Sequence, residues 1–348
     1  MSLNVTGRPG IDPSVTFLSE CTLKLCSLDY AVVRYVPSFG GNLAVTSIFG
    51  AFLVAQIIFW IFYRTHSFTV AMCCGLILEI VGYCARVQMH FVLFTSGSFL
   101  LNIICLTIAP IFFMAALYVT LSRVIMHYGP HNSRVTPKQY TIFFITADVV
   151  ALILQAVGGA LAETASTLDG AKTGENVMVA GLSFQVISLT VFIALAGEFL
   201  WNVRRDRKIL QATNWAKGNV ERPPPDARGF KIFLGAFVLA TLLILGRSIF
   251  RVAELAGGFR SRLANNEVAF MILEGGMVLC ATLLMTAFHP GRYVGEKWKE
   301  SGWGIIKRSV SLDLDKYKYK IEEIDPHPRP SDVYMRPWPL QQMDVIHK

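Results

Sequence analysis

Residues Gly97–Leu121 read GSFLLNIICLTIAPIFFMAALYVTL, a run without a single charged side chain. A helix needs about 20 apolar residues to cross the roughly 30 Å hydrocarbon core of a bilayer. Backbone N–H and C=O groups find no water there, so such a run spans a membrane as a helix. The chain contains seven comparable stretches, which are Gly40–Tyr63, Phe68–Ala85, Gly97–Leu121, Thr141–Ala162, Val177–Leu200, Phe230–Phe250 and Glu267–Phe288. The sequence therefore predicts an all-α bundle of seven transmembrane helices.

Composition supports a membrane protein. The chain has 348 residues, of which 53% are hydrophobic and 16% are charged, whereas soluble domains carry about 25% charged residues. We expect an extracellular segment (1–39), a seven-helix membrane domain (40–290) and a cytoplasmic tail (291–348) that is disordered or surface-bound, since it is rich in charge and proline. Much of the net charge of +8 falls in one loop and the tail, so no nucleic-acid partner is expected. The sequence does not indicate an oligomeric state.

The distribution of basic residues predicts the orientation. Cytoplasmic loops carry an excess of Lys and Arg, and here the first, third and fifth loops are basic, with Arg64, Arg123, Arg134, Lys138, Arg204, Arg205, Arg207, Lys208, Lys217, Arg222, Arg228 and Lys231. The second and fourth loops add little beyond Arg86 and Lys172, although Arg251, Arg260 and Arg262 in the sixth loop count against the pattern. The N-terminus is thus predicted outside and the tail inside. The plasma membrane is the expected location, with the vacuolar and endoplasmic reticulum membranes as alternatives.

The N-terminal segment carries two features of an extracellular chain. Asn4-Val5-Thr6 is a glycosylation sequon, and it lies on the predicted outer side. Cys21 and Cys26 lie in the same segment, where an oxidising compartment allows a disulfide. A bond between them and a pair of free thiols both remain open on the sequence alone.

Ionisable and amide side chains interrupt the apolar spans. They are expensive in lipid, so we expect them to face a protein interior or a polar cavity. Glu79, Tyr83 and Arg86 follow i, i+4, i+7 spacing and therefore share one helical face. With the predicted orientation, this face lies in the outer half of the second span. The other candidate cavity or gating residues are Asp148, Gln155, Gln185, Arg247, Arg251, Glu254 and Glu274.

Two interpretations of these residues remain open. In the first, spans two, six and seven line a polar cavity that opens outward and admits an amphiphile with a charged head and an apolar tail. In the second, Glu79, Glu254 and Glu274 pair with Arg86, Arg247 and Arg251 and lock the bundle, which is a structural role. If these ion pairs can break, the same residues would also act as a gate.

Short fragments across the spans together resemble one known family. They are Tyr35-Val36-Pro37-Ser38, Glu79, Gly82-Tyr83, Arg86, Ala109-Pro110, Asp148, Gln155-Ala156-Val157-Gly158-Gly159, Gln185, Arg247-Ser248-Ile249-Phe250-Arg251, Glu254, Glu267, Glu274 and His289-Pro290. In order and spacing the chain resembles the fungal RTA-like family, described as lipid-translocating exporters. The resemblance implies seven spans with an outward N-terminus. It also implies release or transbilayer movement of sphingoid bases, resistance to toxic amphiphiles such as aminosterols, or porphyrin transport. Met271 and Glu274 depart from the family, where an aromatic residue and an aspartate are common.

Three classes of function are candidates for a seven-span protein of this kind. The first is a transporter or floppase for an amphiphilic, lipid-like molecule. A Walker-type nucleotide-binding loop is absent from the sequence, so ATP hydrolysis is not expected to drive transport. A proton gradient would then supply the energy, with Glu79, Asp148 or Glu274 as proton carriers. Alternatively, the protein would only equilibrate lipid between the two leaflets. The alternative is a seven-helix receptor or sensor of lipid or membrane stress, although Leu121-Ser122-Arg123 is not the Asp-Arg-Tyr of common G-protein-coupled receptors.

An intramembrane enzyme is not expected. The histidines fall at span ends or in loops, and Asp148 is the lone aspartate buried in the spans, so neither a metal site nor an aspartyl dyad is visible. Accordingly, the sequence predicts neither a metal ion nor a cofactor.

Overall fold

The computed structural model describes residues 25–27, 35–94, 96–128, 137–165, 167–216, 227–257 and 266–294. The predicted sequon at Asn4, and nearly all of the predicted cytoplasmic tail, lie outside these residues. Cys26 is disulfide-bonded, while Cys21 lies outside the described residues, so the pairing of the two stays a prediction.

The described chain is a succession of long helices. They are α1 (Phe39–Tyr63), α2 (His66–Phe91), α3 (Ser96–Tyr128), α4 (Pro137–Thr164), α5 (Leu168–Ala216), α6 (Ala227–Ala256), α7 (Glu267–Ala269), a π-helical segment (Phe270–Gly276), α8 (Met277–Ala287) and α9 (Pro290–Val294). Seven helical stretches in the described part are long and apolar enough to cross a membrane, and the seventh runs through Glu267–Tyr293. The predicted all-α, seven-span architecture is confirmed, and the chain is an integral membrane protein.

Several helices extend well past the apolar runs that predicted them. α2 continues to Phe91 and α6 to Ala256, so Arg86 and Arg251 are buried helical residues and not loop residues. α5 continues to Ala216 and includes the basic stretch that was assigned to the fifth loop. The apolar run marks only the part of a helix that lies in hydrocarbon, whereas the backbone hydrogen bonds continue until a cap or a breaker ends them. Counting Arg251 as loop charge against the predicted orientation was therefore wrong.

Helix direction alternates, which gives the bundle two ends. We call the end at which α1 begins the N-terminal face and the opposite end the C-terminal face. The ring of Phe39, the first residue of α1, lies 5.8 Å from that of Phe91, the last residue of α2, so both belong to the N-terminal face. Near the C-terminal face, the ring of Tyr293 in α9 stacks at 5.6 Å on Phe233 of α6. α9 thus extends past the boundary predicted at residue 290.

The contact between α4 and α5 depends on glycine. A Cβ atom on Gly158 would lie 2.5 Å from the backbone nitrogen of Met178 and 2.8 Å from the carbonyl oxygen of Gly174. A Cβ on Gly174 would in turn collide with the backbone of Ala162. Small residues of this kind let membrane helices approach backbone to backbone, where van der Waals packing replaces the missing hydrophobic drive.

We predict that Gly158→Ala lowers the stability of the purified protein by about 1–3 kcal/mol, because the added methyl group overpacks a backbone contact that cannot relax. Gly159→Ala is the matched control, since a Cβ on Gly159 meets only the Met178 sulfur, at 4.0 Å. Thermal unfolding in detergent would compare the two. Equal unfolding temperatures for both variants would show that the contact of α4 with α5 is not this tight.

Candidate functional site

The polar residues of the second, sixth and seventh spans converge at one place in the bundle. The exposed fraction is 2% for Glu79, zero for Tyr83, 1% for Arg247 and 2% for Glu274. The Tyr83 hydroxyl interacts electrostatically with the other three side chains. We call Glu79, Tyr83, Arg247 and Glu274 the charged cluster.

Arg247 ties three helices together. Its Nη2 donates to the Oε1 of Glu274 in a buried ion pair. It also donates to the carbonyl oxygen of Leu106 in α3, at 2.6 Å. Arginine can satisfy several acceptors from one planar fork, which makes it suited to a buried junction of this kind. The ion pair therefore links α6 to the seventh span.

The seventh span is π-helical where it enters the cluster. Glu274 and Gly275 lie in the π-helical segment, Phe270–Gly276, between two α-helical stretches. A Cβ on Gly275 would collide with the hydroxyl of Tyr83, so glycine is what lets that hydroxyl approach the backbone. Short π-helical segments inside α-helices occur frequently at functional sites.

Glu79 is the unpaired member of the cluster. Among the described residues no hydrogen bond or ion pair reaches its carboxylate, although Arg247 attracts it and Glu274 repels it. Within the described part of the chain, the Tyr83 hydroxyl, the Oε2 of Glu274 and the Nε of Arg247 also have no hydrogen-bond partner. Similar atoms occur elsewhere in the bundle, for example on Gln56 and Asn102. In the cluster they leave both donors and acceptors with which a further polar group could pair.

A second level of charge lies between the cluster and the N-terminal face. Arg86, one turn beyond Tyr83 on α2, donates from Nη2 to the hydroxyl of Tyr35 and stacks 3.8 Å above the Phe270 ring, a cation–π contact. Burial raises the pKa of the Tyr35 hydroxyl, which therefore stays neutral when it accepts this bond. In α6, Arg251 donates to Glu254 at 2.7 Å, but the pair lies within one helix and does not link helices.

The remaining candidate residues form a separate group. Asp148 accepts from the Tyr118 hydroxyl at 3.0 Å, between α4 and α3. Gln155 donates to Gln185 at 3.1 Å, between α4 and α5. These hydrogen bonds run between α3, α4 and α5, whereas the charged cluster belongs to α2, α6 and the seventh span. The ten residues chosen from sequence thus occupy two regions of the bundle.

The charged cluster is closed in this conformation. Each of the ten candidate residues is at most 7% exposed, so the predicted outward-opening cavity is not open to solvent here. A different hollow, of about 230 Å³, lies between α5 and α6 and is lined mainly by apolar side chains, namely Phe192, Ile193, Ala196, Gly197, Leu200, Trp201, Phe237, Val238, Thr241 and Leu242.

Sequence reasoning missed two partners of the chosen residues. Phe270 carries the stacked Arg86, and its spacing gives a usable signal, because it lies three residues after Glu267 and four before Glu274 on the same helical stripe. The carbonyl of Leu106 accepts from Arg247. A backbone contact of this kind leaves no mark in the side-chain pattern.

The chain is similar to a group of known proteins. The family described as RTA1 like protein matches residues 72–297, more than half of the chain. The Sphingoid long-chain base transporter RSB1 of Saccharomyces cerevisiae strain YJM789 is 35% identical over 311 residues, covering 83% of this chain and 80% of that protein. Protoporphyrin uptake protein 1 of S. cerevisiae is 28% identical over 226 residues, covering 64% and 67% of the two chains.

A more distant relative, Protein RTM1 of S. cerevisiae, is 26% identical over 234 residues, which cover 66% of this chain and 69% of that protein. No solved structure matches. The family matches more than half of the chain, and the long-chain base transporter is 35% identical over most of both chains. These two matches are sufficient to assign the chain to a family. The chain belongs to the family of RTA1-like proteins.

Proposed function

We propose that this chain is a transporter that moves an amphiphile with a cationic head and an apolar tail, of the sphingoid-base class, across the bilayer. The similarity to a sphingoid long-chain base transporter and to a protoporphyrin uptake protein supports lipid-like membrane transport rather than an enzyme. The observation that carries the proposal is the buried Glu79 carboxylate, which has no ion-pair partner among the described residues although the Arg247–Glu274 pair lies beside it.

The charges in the cluster favour a cationic head over an anionic one. Arg247 is paired with Glu274, and Arg251, which also interacts with Glu274, is paired with Glu254. Among the described residues, the Glu79 carboxylate is therefore left without an ion pair of its own. A buried charge without a partner is costly, and a matching charge with good geometry offsets that cost. An ammonium group beside Glu79 would balance the cluster, whereas the carboxylates of a porphyrin would add to the imbalance.

The apolar tail could remain in lipid while the head enters the protein. Ile77 in α2, Ile249 in α6 and Ile272 in the π-helical segment are each two residues from a charged-cluster residue, and they are 48%, 50% and 60% exposed. The same helices therefore turn large apolar side chains outward near the depth of the cluster. If the head enters between the helices, the tail can stay in contact with these apolar side chains and with lipid. The tail is then not exposed to water during the movement.

Reconstitution tests the proposal directly. Purified protein in vesicles of neutral phospholipid should speed the transbilayer movement of a fluorescent long-chain base relative to protein-free vesicles. A sensor that acts through gene expression would produce no such change, because vesicles contain no other protein. The absence of acceleration in vesicles that contain folded protein would reject transport in favour of the sensor.

We also propose that protons drive the movement through Asp148, a buried carboxylate of α4 that accepts from the Tyr118 hydroxyl. Asp148→Asn should flatten the dependence of the transport rate on pH, because the amide does not titrate. Asp169→Asn, an exposed aspartate at the start of α5, is the control and should keep the wild-type profile. An unchanged pH profile in Asp148→Asn would reject proton coupling through this residue.

The proposed setting is the plasma membrane with the N-terminus outside. The basic loops and the sequon at Asn4 support this orientation. Glycosidase treatment of the protein from cells should shift the wild type and leave Asn4→Gln unshifted. Identical mobility of the two proteins, with or without treatment, would remove the sequon as support.

A further inference from the structure

A short segment before the first helix crosses the N-terminal face. Tyr35–Ser38 contacts α2 and the seventh span, and we call this segment the strap. On the α2 side, Arg86 donates to the Tyr35 hydroxyl and the Nδ1 of His90 donates to the carbonyl oxygen of Pro37 at 2.8 Å. On the other side, the backbone N–H of Ser38 donates to the Oε1 of Glu267 at 2.5 Å. The strap therefore bridges two of the helices that hold the charged cluster.

The strap lies over the closed contact between α2 and the seventh span, which we call the cleft, and across which Arg86 meets Phe270 and Tyr83 meets Gly275. On α2 the order from the cluster outward is Glu79, Tyr83, Arg86 and His90, and the strap binds the last two. On the seventh span it binds Glu267, two turns before Glu274. α6 reaches the same level, because Glu254 interacts electrostatically with Tyr35. All three helices of the cluster thus meet beneath the strap.

The hydrogen bonds that hold the strap lie near the rim of the bundle, above its apolar core. Ser38 is exposed and Glu267 is partly exposed, whereas Pro37 is buried. Polar contacts near a water-exposed rim are individually modest, so breaking them costs far less than separating packed helices. Elements that move in proteins are drawn from such regions of low local stability.

We infer that the strap is the gate of the charged cluster at the N-terminal face: release of Ser38 from Glu267 opens the cleft between α2 and the seventh span to polar molecules. This inference rests on the proposed function for its purpose, because an amphiphile head has to pass this level to reach Glu79. Its test, however, needs no transport.

A native cysteine lies against α2 beside the cleft and can report on its opening. Cys105 of α3 is 5% exposed, and a Cβ on Gly82 of α2 would lie 3.4 Å from the Cys105 Cβ. Its thiol is free. A charged, water-soluble thiol reagent does not partition into lipid, so it reaches Cys105 when the cleft admits water. The rate of labelling at Cys105 therefore measures how often the gate opens.

Position 38 offers a matched pair of variants. Ser38→Pro removes the N–H that binds Glu267, and the Ser38 φ of −63° already suits proline. Ser38→Ala keeps that N–H and loses only the hydroxyl, which accepts from the Gly41 N–H at 3.3 Å. Glu267→Ala removes the acceptor instead and leaves position 38 untouched.

The experiment uses full-length protein in lipid nanodiscs, where both faces are reachable, with Cys73, Cys74, Cys84 and Cys280 replaced by alanine. A cationic methanethiosulfonate is the probe, and mass spectrometry follows the peptide that contains Cys105. We expect Ser38→Pro and Glu267→Ala each to accelerate labelling about tenfold, the population shift from losing one hydrogen bond to a charged group. Ser38→Ala should label at the wild-type rate.

Two outcomes would overturn the gate. One is wild-type labelling rates in both Ser38→Pro and Glu267→Ala, provided that each protein keeps the wild-type thermal stability. The other is equal acceleration by Ser38→Ala, which would trace the effect to the helix cap and not to the bond with Glu267. If vesicles show no transport but Cys105 labelling is still accelerated in Ser38→Pro and Glu267→Ala, the proposed function is rejected and the gate is supported.

Discussion

Glu79→Gln should reduce transport of a long-chain base to below about a thirtieth of the wild-type rate, while the amount of protein in the membrane is unchanged. The amide keeps the shape of the side chain and removes the charge that we expect to bind the ammonium head. Loss of one close, buried charge pair costs about 2 kcal/mol or more, which corresponds to roughly thirtyfold or greater. Transport into vesicles and unfolding temperature should be measured on the same preparation.

The control for Glu79→Gln is Glu175→Gln, at a partly exposed acid of α5 that should transport at the wild-type rate. Poor expression or a lowered unfolding temperature of Glu79→Gln would favour the structural interpretation, in which Glu79 only stabilises the bundle. Normal folding with normal transport would remove Glu79 from the binding site altogether.

Arg247→Leu should be the most destabilising single substitution in the cluster, by about 3–5 kcal/mol, because it leaves the Glu274 carboxylate buried without its partner. Glu274→Leu should be similarly harmful for the converse reason. The double variant Arg247→Leu/Glu274→Leu should recover most of that loss, since replacing a buried ion pair by apolar side chains is often close to neutral. Thermal or denaturant unfolding of the four proteins forms a double-mutant cycle.

The same four proteins should also be tested for transport. The double variant should fold and still fail to transport, because the cluster has lost the pair that flanks Glu79. Arg205→Leu, at an exposed arginine of α5, is the control for removing a guanidinium and should alter neither stability nor transport. A double variant no more stable than the single ones would mean that Arg247 and Glu274 are not energetically paired, against the buried contact between them.

The fold could be predicted from sequence because it depends on one strong signal. Runs such as Gly97–Leu121 are long and uncharged, and hydrocarbon allows them only one backbone conformation. Helix ends were predicted less well, as α5 and α6 show, because an apolar run records where lipid stops and not where the helix stops. Because a charge is costly in lipid, the charged residues within the apolar spans were expected to face the protein interior. The structure buries them, including Glu79 and Arg247.

Other parts of the site could not be predicted, for identifiable reasons. The sequence placed Asp148 and Gln155 in the fourth span, but it does not say which helices face them, so their hydrogen bonds to α3 and α5 were not anticipated. The π-helical segment breaks the 3.6-residue period on which face assignments depend. The bond from Ser38 to Glu267 joins residues 229 apart in sequence, a distance at which local patterns carry no information.

We propose that Glu79 recognises the positive charge of an amphiphile head. Transbilayer movement of a fluorescent long-chain base should be compared with that of its N-acetylated analogue, in vesicles containing wild-type protein or Glu79→Gln. We expect wild-type protein to move the free base much faster than the uncharged analogue, and Glu79→Gln to abolish this preference. Equal rates for the two molecules in wild-type protein, or a preference that survives in Glu79→Gln, would contradict it.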